Sequence, residues 1–136
     1  MTKVDKLRLC GWLLVVATAL ILASSIQLEV TGGCCNLFVW LHVILGCLFF
    51  VAILLHLYLH FNWKSWIGRL WKRTPMMRWL TISALLTLIS GFIALFHWIG
   101  EHMHSPLGAV HGKIGFVFLA IVIWHTAKRI KFLVKR

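Results

Sequence analysis

An all-α integral membrane bundle is the fold class this sequence predicts. Three observations predict it: overall hydrophobicity, the lengths of the apolar runs and the places where charge is allowed. Of 136 residues, 61% are hydrophobic, and Asp5, Glu29 and Glu101 are the only acids. A chain this apolar belongs to the membrane class. Four apolar runs are readable, at about Leu9–Val30, Leu37–Phe61, Trp79–Ile99 and Leu107–Ala127. Each is long enough to cross a hydrocarbon layer of about 30 Å. Residues 1–136 therefore read as a single four-helix transmembrane domain, with little left over for a soluble catalytic module.

The net charge of +11 is a topology signal. Lys3, Lys6 and Arg8 precede the first span. Lys64, Arg69, Lys72, Arg73 and Arg78 lie between the second and third. Lys128, Arg129, Lys131, Lys135 and Arg136 follow the fourth. Only Lys113 falls on the other side. The positive-inside rule then places both termini in the cytoplasm, in what reads as a bacterial cytoplasmic (inner) membrane, with anionic headgroups adding attraction. Nucleic acid is not an expected partner, because the charge is distributed by membrane side and not along a binding face.

The first span has a basic start, an apolar run and small residues at Ala23-Ser24-Ser25, which is signal-peptide character; it is expected to be a retained helix. Thr31-Gly32-Gly33 turns the chain outward of it. Cys10 and Cys47 read as packing residues, and Cys34-Cys35 sits in the outward loop, where the surroundings would be oxidising. No Cys-x-x-Cys-His occurs, so covalent haem attachment is not expected. The inner loop, about Asn62 to Arg78, mixes Trp63, Trp66 and Trp71 with basic residues, as segments at headgroup level do. Pro75 ends it, and Gly100 to Pro106 form the outer loop before the fourth span.

Chemistry enters with a repeated spacing. His42 and His56 are separated by thirteen residues, and so are His111 and His125. Histidine inside an apolar span is expensive and usually functional. Fourteen helical steps bring the second histidine to within about 40° of the first and about 21 Å further along the axis. Gly46 and Phe49 follow His42 at plus four and plus seven; Gly115 and Phe118 follow His111 at the same offsets. Spans two and four run in the same direction, so His42 matches His111 in depth and His56 matches His125.

Two imidazoles at one depth can supply both axial ligands of a haem iron. Gly46 and Gly115 would leave room beside a flat porphyrin, and Phe49 and Phe118 would pack between the two levels. The expected cofactors are two b-type haems, an outer one on His42 and His111 and an inner one on His56 and His125. Tetrahedral zinc would want more ligands at one depth. A lone histidine in a membrane helix commonly does no more than bond a neighbouring carbonyl, but two matched pairs with matched glycines are harder to obtain that way.

The pattern resembles the di-haem cytochrome b subunits of respiratory complexes. With Trp40-Leu41-His42, His56-Leu57-Tyr58-Leu59-His60-Phe61-Asn62-Trp63-Lys64, Ser90-Gly91 and the closing His111 and His125, it also resembles a small bacterial four-helix cytochrome b-like family. The likeness covers spans two to four. It implies His42, His56, His111 and His125 as haem ligands. Some related four-helix cytochromes draw a ligand from the first helix; this chain has no histidine there, which favours the two-helix scheme.

Other ionisable groups compete for roles. His60 lies on the same face and is an alternative to His56, while His97 is an alternative to either outer histidine. Arg129, with Lys128, could meet haem propionates at the cytoplasmic edge; Lys113 either snorkels or pairs with an outer propionate. Glu101, His102 and His104 could accept protons from a quinol, since histidine titrates near neutral pH, although exposed polar loop residues are the commoner case. No nucleotide-binding motif is present, so flavin or nicotinamide chemistry would need another subunit. The expected function is electron transfer across the bilayer, between quinone or a soluble partner and a redox partner subunit, with membrane lipid around the helices. The alternatives are a self-sufficient quinone oxidoreductase, with superoxide a candidate electron donor, and a non-redox anchor whose histidines bind zinc or nickel. No catalytic residue is assigned.

Overall fold

The computed structural model describes residues 2–32, 35–60, 75–101 and 106–134, apart from the side chains of Lys3, His60 and Glu101. These residues form four α-helices: α1 (Lys3–Thr31), α2 (Asn36–His60), α3 (Pro75–Glu101) and α4 (Pro106–Val134). All four are long and apolar enough to span a membrane. Phe61, the inner loop from 62 to 74, Gly33, Cys34, His102 and His104, and Lys135 and Arg136 lie outside the described residues.

Helix ends follow local chemistry. Thr2 caps α1: its hydroxyl accepts from the Asp5 amide, and the Asp5 carboxylate accepts in return from the Thr2 amide at 2.9 Å. This reciprocal box satisfies amides that the first turn leaves without partners. Gly32 ends α1 with φ of 61°, in the left-handed region where a side chain would be strained. Pro75 and Pro106 open α3 and α4, where a missing N–H is no loss. α1, α3 and α4 overrun their apolar stretches at both ends, and α4 continues past Ala127 through its basic tail to Val134. The overrun is physically reasonable, because Lys128, Arg129 and Lys131 are exposed good helix formers that carry the backbone beyond the apolar layer.

Consecutive helices pair, α1 along α2 and α3 along α4, and α1 also packs on α4. At the basic end, Gly11 lets the Leu133 side chain approach closely, since a Cβ there would meet Leu133 Cδ2 at 2.5 Å. Beside it, the Arg8 guanidinium stands 5.9 Å from the centre of the Phe132 ring. The interior is a cluster of Ile21, Phe49, Phe118 and Leu119. Phe49 and Phe118 are in ring contact at 6.0 Å and join α2 to α4. Trp40 and Trp98 meet edge to face at 5.7 Å and join α2 to α3.

Large apolar side chains cover the outside, among them Leu13, Leu48, Ile89 and Val117. Lipid chains are as apolar as these residues, so cohesion comes from close packing at the seams. Hydroxyls inside the helices are satisfied locally: Thr18 donates to the Leu14 carbonyl, Ser83 to Trp79 and Thr87 to Ser83.

Phe118→Ala should therefore lower the unfolding midpoint in detergent, by a free energy near the lower end of the about 3–5 kcal/mol typical of buried Phe truncation. Phe92→Ala, which removes an exposed ring, should leave that midpoint unchanged.

Candidate functional site

The inward faces of α2 and α4 carry the candidate site. On α2, His42, Gly46, Phe49 and His56 are half-buried or buried, while Leu41, Ile44, Leu48, Val51 and Leu55 are exposed. On α4, His111, Gly115, Phe118 and His125 face inward in the same way. His42 and His111 meet across the bundle, ring centres 6.3 Å apart and planes at 74°. Seven residues further along each helix lies the Phe49–Phe118 contact, and seven further again lie His56 and His125, both half-buried.

Each ring of the first pair is tethered by the helix that precedes its own. Ser24 Oγ on α1 lies 2.9 Å from His42 Nδ1, and it also donates to the Ile21 carbonyl at 2.9 Å. Ser90 Oγ on α3 lies 3.1 Å from His111 Nδ1 and donates to the Thr87 carbonyl at 3.1 Å. The two hairpins thus solve the same problem identically. Gly91 completes the second tether: a Cβ there would stand 3.0 Å from His111 Cε1, tighter than ordinary contact.

A Cβ on Gly46 would stand 3.8 Å from Ile21 Cδ1, and one on Gly115 would sit in open space. His97 is half-buried on α3 beside Trp98, with its Nδ1 shut off from solvent. Lys113 is exposed, two residues beyond His111 and therefore on the far side of α4. Arg129 is exposed, and Lys128 Nζ sits 5.0 Å over the Trp124 ring. The side chains of His60 and Glu101, together with His102 and His104, fall outside the described residues. Cys10 is buried, with Sγ 3.9 Å from the Ala52 carbonyl, whereas Cys47 is exposed on the lipid-facing side. That corrects the reading of Cys47 as a packing residue: it lies one position beyond Gly46, off the inward face.

Sequence reasoning missed Ser24 and Ser90 as ring partners. A signal was present, because Ser24 and His42 stand nine residues on either side of Gly33. In an antiparallel hairpin, positions equidistant from the turn share a level.

The His42 and His111 rings are spaced as two imidazoles on opposite sides of one metal ion would be. Two ring nitrogens held at about 2.0–2.1 Å from one metal ion put their ring centres roughly 6 Å apart, close to the separation here. Among the described residues no group of three or more His, Cys, Asp or Glu side chains converges. A two-imidazole set suits an ion whose other positions are filled by its own macrocycle. No family model matches this chain, and no curated protein or solved structure matches it either.

Gly91→Val should displace the His111 ring and change its side-chain NMR shifts. Gly115→Ala, placed where the space is open, should leave them within line width.

Proposed function

We propose that this chain is a di-haem b-type cytochrome that carries electrons across a bilayer. The observation that supports it most is the His42–His111 pair, two imidazoles opposed between spans in an apolar setting with one nitrogen of each already engaged. The same faces carry His56 and His125 about 21 Å further along, two levels of donor at different membrane depths. His42 and His111 would hold one haem, and His56 and His125 the other. Bound haem would supply a one-electron iron couple at each level, with two histidines available to hold it.

The chain's own residues set the conditions for that couple. Phe49 and Phe118 are buried and in ring contact between the two levels. Ser24 and Ser90 hold the first pair of rings in place. Gly46 and Gly115 leave the neighbouring backbone free of side chains. At the other end, Lys128 and Arg129 offer cations at the membrane surface, suited to carboxylates on a cofactor's rim.

The positive-inside rule orients the bundle with both termini in the cytoplasm, which puts the His42–His111 level outward. In a bacterial cytoplasmic membrane, such a conductor would join the quinone pool to a redox partner subunit.

Reduction of the purified protein with dithionite should give b-type bands, with about two haems per chain by pyridine haemochrome. His42→Ala and His56→Ala should each lower that content by about half. A colourless protein purified from haem-replete cells would overturn the reading. Reduction by a quinol analogue should proceed without any added protein if quinone is the direct donor.

A further inference from the structure

Two serines with no role in the spacing pattern occupy equivalent places in the two hairpins, and their hydrogen bonds have a direction. A serine hydroxyl carries one proton. Ser24 is buried in α1, and its Oγ–H points to the Ile21 carbonyl at 2.9 Å. Ser90 directs its own to the Thr87 carbonyl at 3.1 Å. A carbonyl only accepts, so each hydroxyl's single proton is already committed when it meets the ring. The contacts from Ser24 Oγ to His42 Nδ1 and from Ser90 Oγ to His111 Nδ1 must then be ones in which the ring nitrogen donates.

For His111 the absent side chain of Gly91 supports the same geometry: a Cβ there would stand 3.0 Å from Cε1, in the ring rotation that brings Nδ1 to Ser90 Oγ.

We propose that Ser24 and Ser90 are positioning residues that lock His42 and His111 as Nδ1–H tautomers, leaving each Nε2 with a free lone pair. A neutral imidazole binds a metal through the nitrogen that carries no proton, and the bond made by the other nitrogen decides which one that is. Partners of this kind also fix ring orientation and raise ligand basicity. That Nε2 is the iron-ligating atom rests on the cytochrome reading; the tautomer itself rests only on the two serines.

The test begins with the full chain, labelled with ¹⁵N-histidine, in lipid nanodiscs before haem is added. Nitrogen shifts and one-bond N–H couplings distinguish the tautomers. His42 and His111 should both be Nδ1–H in the parent protein. Ser24→Ala should convert His42 to a tautomer mixture without affecting His111, and Ser90→Ala should do the reverse. Ser24→Thr keeps a hydroxyl that can bond the preceding turn, and it should restore the parent pattern. Rescue by threonine excludes a general loss of packing as the cause. Nε2–H signals in the parent protein, or a Ser24→Ala protein with unchanged His42 shifts, would overturn the proposal.

Haem titration of the same samples then separates the two readings. If the parent binds haem, each alanine variant should weaken uptake at the His42–His111 level by about 10- to 100-fold. It should leave the His56–His125 level unchanged. If the parent shows the Nδ1–H tautomers and takes up no haem, the serine assignment stands and the cytochrome reading falls.

Discussion

The side-chain contact that α2 and α4 make across the bundle is the constraint around which the rest of the interior is arranged. Both helices run the same way, so they cannot be sequence neighbours, and each is delivered to the seam by the antiparallel helix before it. Phe49 and Phe118 close the seam at its middle, and Leu119 and Ile21 wedge beside them. Once that contact is set, helical geometry decides the rest. Residues seven positions away in either direction return to the same side, which is where all four spaced histidines stand. The line between α2 and α4 therefore carries both the Phe49–Phe118 contact of the core and the histidines that are kept away from lipid.

Hydroxyls are tolerated in this apolar setting where a carbonyl of the same helix accepts from them. Hydroxyls of Thr18, Ser83 and Thr87 bond back to their own helices, so they add no unsatisfied group. Ser24 and Ser90 do the same and then reach across to a neighbouring helix. The intrahelical bond disposes of the proton, and the interhelical one uses the lone pair that remains. Charge is treated differently: Lys128, Arg129 and Lys131 are carried past the apolar layer by a helix that continues beyond its hydrophobic segment.

Much of this arrangement was legible in the amino-acid order. Four apolar runs of spanning length specified the helices, because lipid permits few other backbone solutions. The thirteen-residue gaps and the shared glycine and phenylalanine offsets specified one face on each of α2 and α4. The parallel run of those helices put His42 at the level of His111. Less legible were the ends. The α4 boundary was read at Ala127 because hydropathy stops there, whereas helical hydrogen bonding continues through lysines and arginines that favour it. Cys47 was read as internal from its apolar surroundings, although one step from Gly46 turns it outward. Gly91 drew attention only within a dipeptide, yet it is the glycine pressed against a histidine ring, because tightness depends on a neighbouring helix and not on local pattern. His56 and His125 share their faces with the first pair.

The two serine tethers also have a thermodynamic consequence. An imidazole on a long helix normally turns among several χ1 and χ2 states, and binding must freeze that freedom at about 0.5–1.5 kcal/mol per side chain. Here the fold has already done so for His42 and His111, because each ring is held by a hydroxyl from an adjacent helix whose position the hairpin fixes. A ligand arriving between them would meet a preorganised pair and have less disorder to remove. The entropy of aligning the rings is lost once, when the hairpins pack, and not again at each encounter.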